Sequence, residues 1–152
     1  MTTTVDLPDV NVWLALSATH HPHHARALAY WAHEAAPEVS FCRVTMLGLV
    51  RLLTQPRVMG AAALTPTAAL TIWKQWRRLP EVSHRAESPS CDASIERLVD
   101  AGLPARMLTD AYLAAHALSA GLRLVSFDQD FHRFADLNLL LLNPEDTPHD
   151  PI

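Results

Sequence analysis

Short apolar segments of strand length alternate with longer segments of helical period along nearly the whole sequence. No other feature limits the fold as strongly. Val5 to Asp9 reads as a strand, and Asn11 to Ser17 starts a helix. Pro22 suits the first turn of a second helix reaching about Ala36, with Leu28, Trp31 and Ala35 on one face. "EVSFC" is a short strand, and Thr45 can cap a helix carrying Leu49, Leu52 and Leu53 that ends before Pro56. "TPTAALTIWKQWRRL" repeats the cap-plus-proline signal, and "EVSHR" is a further strand. "CDASIERLVDAG" is a helix closed by Gly102, and "TDAYLAAHALSAG" is one capped by Thr109 and stopped by Gly121. "LRLVSF" and "LNLLLL" complete the set of strands. Such alternation predicts an α/β fold, a mainly parallel sheet between helix layers. Residues 1–143 form one domain on this reading, and 144–152, rich in Pro and acids, form a frayed tail.

Composition removes several classes of function. At 49% hydrophobic residues the chain is not disordered. No apolar run approaches the roughly 18 residues of a membrane span. The start, "MTTTVDLPDV", lacks a basic segment followed by a long apolar one, so a cytoplasmic location is expected. Cys42 and Cys91 follow no metal-ligand spacing and read as buried thiols in a reducing compartment. The net charge of −4 gives no general attraction to nucleic acid, so any such site must be a local basic patch. Arginine supplies nearly all of the basic residues, which suits bidentate phosphate contacts and equally reflects a GC-rich genome.

In parallel sheets ligands bind beyond the carboxyl ends of the strands. Asp9 follows the first strand, Asp128 follows "LRLVSF", and Asp110 opens the helix after "GLPARML". These acids are far apart in sequence and meet only if the sheet gathers its strand ends. Converging carboxylates suit a hard cation, Mg2+ or Mn2+, which takes oxygen ligands and completes its shell with water and substrate phosphate. Each acid also has a structural reading: Asp9 as a helix cap, Asp110 as a partner of a helix dipole, Asp128 with Asp130 as a turn former.

On these residues the chain resembles a known family. "DVNVWLA" and "TDAYLAAHALSAGLRLVSFDQDF" are similar to the two signature stretches of PIN domains, specifically of VapC-type toxin ribonucleases of bacterial toxin–antitoxin pairs. The resemblance runs from about Val5 to Asn143. It implies an α/β/α sandwich and metal-dependent cleavage of single-stranded or loop RNA. It also implies a homodimer and a small antitoxin whose C-terminal segment covers the active site. By this resemblance Asp9, Asp110 and Asp128 hold Mg2+ or Mn2+, while Asn11 and Ser126 orient ligands or water. Many members of the family carry a Glu on the helix after the second strand. Here that stretch is "VTMLGL", with Gly48 at the Glu position. Asp130 and Asp92 are the candidates for a replacement carboxylate.

The remaining features carry less. "HHPHH", His20 to His24, lacks a complete zinc ligand set and reads as a solvated loop. "IWKQWRR" interleaves Trp73 and Trp76 with Lys74, Arg77 and Arg78, and reads as an amphipathic helix ahead of a stacking platform for RNA. Arg43, directly after the second strand, is the better RNA-binding candidate, with Arg51 and Arg57 behind it. His116 and His132 lie in apolar patterns and read as packed residues rather than general bases. Two other functions stay open. One is a PIN-like module, catalytically weakened, that binds RNA or a partner; Gly48 favours it. The other is a metal-dependent phosphatase, disfavoured because Asn11 stands where that chemistry needs a second acid.

Overall fold

The computed structural model describes residues 4–145. Five strands form one sheet: β1 (Val5–Pro8), β2 (Glu38–Phe41), β3 (Val82–His84), β4 (Arg123–Ser126) and β5 (Leu139–Leu141). Their order is β3-β2-β1-β4-β5, and every neighbouring pair is parallel. Seven helices connect them: α1 (Val10–Ser17), α2 (His24–His33), α3 (Arg43–Leu53), α4 (Pro56–Met59), α5 (Pro66–Arg77), α6 (Cys91–Asp100) and α7 (Leu108–Ala120). Of the tail, 146–152 lies outside the described residues; at its start Glu145 donates its backbone N–H to Asn143 Oδ1.

Side chains alternate across a strand, so a parallel sheet needs an apolar layer on both faces. β4 shows this directly. Val125 joins the core formed with α1, α2, α3 and α5, while its neighbour Leu124 joins the core formed with α7. The two cores account for the α/β/α layering. In the first core Trp13 stacks on Phe41 at 3.9 Å and meets Trp76 edge-on at 5.4 Å. Trp76 Nε1 donates to Ser17 Oγ at 2.8 Å. The Trp residues of "IWKQWRR" therefore serve packing, and Lys74 and Arg78 face outward.

Several element boundaries differ from the sequence reading, each for a local reason. α2 begins at His24 and ends at His33, inside the expected Pro22–Ala36 span. Its buried residues are Arg26, Ala27 and Tyr30, while Leu28 is 45% exposed. That face escapes an apolar count because two of its members are polar. Arg26 makes a bidentate pair with Glu34 and donates to the Asn143 carbonyl. α3 starts two residues ahead of Thr45. Cys42 takes the cap position and Thr45 the third helical position, where its hydroxyl accepts from the Cys42 N–H at 3.0 Å. α7 starts at Leu108 after a 3-10 turn over Ala105–Met107, which places Thr109 in its first turn instead of at its cap. Thr65 and Gly121 do as expected: Thr65 accepts from Ala68 N–H, and Gly121 adopts φ 69 at the end of α7.

One buried polar network ties the opposite, amino-terminal side of the sheet together. Asp6 in β1 is fully buried. Arg123, at the start of β4, holds it in a fork of 2.7 and 2.9 Å. Tyr30 and the Ala36 N–H also donate to it. Burial, then the charge of Asp6, keeps the Tyr30 phenol protonated.

Candidate active site

The carboxyl ends of all five parallel strands open on one edge, and Asp9, Asp110 and Asp128 lie there. Asp9 continues β1 by donating its N–H to the Val125 carbonyl at 2.8 Å. It then caps α1, its Oδ1 accepting from Val10 N–H at 2.7 Å. Asp128 caps the 3-10 turn Gln129–Arg133, its Oδ1 accepting from Asp130 N–H at 2.9 Å. Asp110 sits in the first turn of α7. The structural readings of these acids are thus correct, and they leave carboxylate oxygens available beyond them.

Electrostatics register the convergence. Burial pushes Asp9 up to about 6, and the Asp110 and Asp128 charges add to the rise. Asp110 is raised by burial first, then by Asp128 and Asp130, with Arg106 opposing. Among the described residues none of the three acids forms a salt bridge, so their charges oppose one another with only the field of Arg106 against them. Among the described residues, no three His, Cys, Asp or Glu side chains form a ready-made metal cage. A hard oxygen donor set of this open kind fits an ion that keeps waters and takes substrate oxygens.

Ser126 is the hub that sets the geometry. It is fully buried. Its hydroxyl donates to Asp9 Oδ2 at 3.0 Å and accepts from Asn11 Nδ2 at 3.2 Å and from Asp128 N–H at 2.9 Å. One donor and two lone pairs are then all used. Ser126 therefore orients the Asp9 carboxylate, fixes the Asp128 backbone and has no free lone pair for nucleophilic attack. Asn11 spans the same joint from the other side, its Oδ1 accepting from Phe127 N–H at 3.4 Å.

Other sequence candidates fall at varied distances from this centre. Asp130 is paired with Arg106 at 3.2 Å on the exposed rim, although its field still reaches Asp110. Asp92 begins α6, and its charge acts on the Cys91 thiol. Arg43 is the first residue of α3 on the same strand-end edge, exposed, with only a 3.5 Å contact to Met46 Sδ. Arg51 and Arg57 are exposed on α3 and α4. The histidine loop is more ordered than a solvated loop implies. His24 Nδ1–H donates to the Ala15 carbonyl at 2.7 Å, and His23 stacks on Phe127 at 4.9 Å. His116 is fully buried against Tyr112, and His132 is exposed on the turn after Asp128.

The structure also gives a physical account of Gly48. A Cβ there would stand 2.6 Å from Val10 Cγ2 and 3.2 Å from Val10 Cγ1. The residue between Asp9 and Asn11 therefore fills the space that any side chain at position 48 would need. Gly48→Ala should lower stability by about 1 kcal/mol. The overlap with a stiff β-branched side chain costs roughly 1–3 kcal/mol and outweighs a helix-propensity gain of about 1. With Val10→Ala in the background the same change should become stabilising. Urea titration of the four proteins checks this, and an unchanged sign in the second background would remove Val10 as the cause.

Comparison with known proteins shows the family and the fold. The sequence model of the PIN domain matches residues 7–137. Ribonuclease VapC41 of Mycobacterium tuberculosis is 35% identical over 142 residues, spanning 90% of this chain and 97% of that protein. Two solved structures share the fold. The crystal structure of M. tuberculosis VapC20, described as a sarcin–ricin loop cleaving toxin, superposes with TM-score 0.63 at 21% identity, covering 88% of this chain and 97% of that one. A toxin–antitoxin complex from Klebsiella pneumoniae contains a chain with TM-score 0.57 at 16% identity, covering 91% and 97%. The chain belongs to the PIN domain family, among the relatives of the VapC ribonucleases.

Proposed function

We propose that this chain is a metal-dependent endoribonuclease that acts as a cytoplasmic toxin. It hydrolyses phosphodiester bonds in single-stranded or loop RNA, forms a homodimer, and is silenced by a small antitoxin whose C-terminal segment covers the acid site. The observation that carries the reading is the meeting of Asp9, Asp110 and Asp128 at one sheet edge, with Asp9 raised to about 6. The ribonuclease name of the VapC41 relative and the toxin–antitoxin assembly from Klebsiella support it.

Asp9, Asp110 and Asp128 would hold a Mg2+ or Mn2+ ion through carboxylate oxygens. When bound, such an ion supplies charge neutralisation at the phosphoryl group and lowers the pKa of water. Ser126, itself held by Asn11, keeps the Asp9 carboxylate in one orientation and anchors the backbone of Asp128, whose carboxylate is set by the Asp130 N–H, so little rearrangement is needed as substrate arrives. Asp9 must lose its proton to act as a ligand, so cation affinity should weaken as pH falls through about 6.

Purified protein should cleave RNA with Mn2+ and lose that activity in EDTA, recovering it when the metal is restored. Equal cleavage in EDTA would end the reading. No cleavage of any RNA, with binding retained, would favour the weakened PIN-like module. Arg43 is proposed to contact a phosphate at the edge of the site. Arg43→Ala should weaken RNA binding and flatten the slope of log K against log salt by about 0.7, the value for one contact on a single strand. An unchanged slope would take Arg43 out of the interface.

A further inference from the structure

A cavity lies on the same strand-end edge, outside the acid cluster. It has a volume of about 210 Å³ and its lining includes Cys42, Arg43, His84, Arg85, Glu87 and Tyr112. Cys42 and Arg43 directly follow β2, the neighbour of β1, and His84 ends β3. Strands in a sheet are ~5 Å apart, so one or two strand spacings, roughly 5–10 Å, separate this cavity from the acid joint. That is the scale of a single nucleotide step along a chain. The space equals that of about seven waters, enough for one planar base and too little for a base pair.

The lining has the chemistry to hold such a base. Tyr112 lies nearly parallel to His116, at 11° with ring centroids 6.1 Å apart, so this offset contact holds the orientation of the Tyr112 ring. Its hydroxyl donates to Glu87 Oε1 at 2.9 Å, which leaves Glu87 Oε2 without a partner among the described residues. The Arg85 charge is already matched by Glu38, at 2.6 Å. Arg43 has no carboxylate partner among the described residues, and its charge, with that of Arg77, acts on His84 after burial to hold that ring neutral. A cation without a counter-ion beside an aromatic cavity with one free carboxylate oxygen suits a nucleotide. The phosphate would meet Arg43, the base face Tyr112, and the base edge Glu87.

We propose that this cavity is a base-reading subsite, which accepts one unpaired base next to the cleaved bond and selects bases that offer an amino N–H to Glu87. Adenine, cytosine and guanine present an exocyclic amino group, whereas uracil offers the carboxylate only its N3–H, flanked by two carbonyl oxygens that oppose the carboxylate charge. The inference rests on the ribonuclease reading above and deepens it.

Single-stranded RNA oligonucleotides that differ in one base beside the cleaved bond test the proposal, in cleavage with Mn2+ and in anisotropy binding to the Asp110→Asn protein. At one flanking position the parent protein should prefer an amino-bearing base over uracil by roughly tenfold, the worth of one hydrogen bond to a charged group. Glu87→Gln should remove most of that preference, chiefly through KM with kcat little changed. Tyr112→Phe should weaken binding of every oligonucleotide less than Glu87→Gln alters the preference, and thermal melts verify that both variants fold. If the parent cleaves RNA and Glu87→Gln keeps the same preference, the subsite is overturned while the nuclease stands. If nothing is cleaved but binding to the Asp110→Asn protein still loses its base preference with Glu87→Gln, the subsite stands and the nuclease reading falls. No base preference at any flanking position, in cleavage or in binding, overturns the subsite outright.

Discussion

Asp9→Asn is expected to lower RNA cleavage by at least about three orders of magnitude while raising the melting temperature of the metal-free protein. The two effects have one cause. Asp9 is raised from 3.8 to about 6, by burial first and by Asp110 and Asp128 after it. Between those values the native state holds more protons than the unfolded chain, so stability falls as pH rises, and the whole penalty is present above pH 6. It amounts to something on the order of 2–3 kcal/mol. Asn removes the charge, its Oδ1 still accepts from Val10 N–H, and Asn caps a helix as well as Asp does; the Ser126 hydroxyl loses its acceptor, which costs about 1 kcal/mol, less than the relief of the repulsion. The fold should therefore be kept and the repulsion lost, a trade of stability for function at a site built to take a cation. Addition of Mn2+ should raise the melting temperature of the parent protein at pH 7.5 and leave Asp9→Asn nearly unchanged. A variant that melts lower than the parent in EDTA, or cleaves within tenfold of it, would remove Asp9 from this role.

Arg123→Ala should be the most damaging change outside the acid site. Asp6 is fully buried and depends on the Arg123 fork, with Tyr30 and Ala36 N–H as further donors. Arg123 also donates to the Glu34 carbonyl at 2.8 Å, which ties the end of α2 to the start of β4. Breaking such a pair from one side leaves a buried charge uncompensated and costs about 3–5 kcal/mol. For a domain of this size that is a fall in melting temperature of roughly 10 °C. Asp6→Asn in an Arg123→Met background should recover most of the loss, because the charge goes with its partner while an acceptor for Tyr30 remains. Urea melts of the three variants measure this. A loss under 1 kcal/mol for Arg123→Ala, or no recovery in the double variant, would show that the network carries little of the stability.

How far the sequence was legible follows from how local each feature is. Thr65 before Pro66 and Gly121 after α7 act on residues within one turn, and both behave as their types require. Strand and helix periods likewise depend on neighbouring positions, so the alternation and the layer arrangement were readable. Thr45 and Thr109 stand one turn or less inside their helices, because Cys42 takes the cap of α3 and Met107, closing a 3-10 turn, takes that of α7, positions that composition would assign to neither. Leu28, Trp31 and Ala35 share one face by apolar spacing, yet only Trp31 and Ala35 pack against the core, and Leu28 is exposed. The buried face of α2 instead carries Arg26 and Tyr30, each with a buried partner that the sequence does not mark.

The acids at the joints were visible as residues without being visible as a site. Sequence alone determined which side chains stand at strand ends, since the turn from strand to helix is a local event. Tertiary structure decided what they meet. Ser126 reaches Asp9 across 117 positions, and Arg123 reaches Asp6 across the same separation, only because β4 pairs with β1 in the sheet. Val10 excludes a side chain at position 48 only because α3 crosses the start of α1 there. Contacts between distant segments are set by strand order and helix packing, which a pattern of neighbours does not encode. The chain therefore announced an α/β domain with acids at its joints, and the fold made of them one half-buried, mutually repelling cluster, with a buried serine joining Asp9 to Asp128.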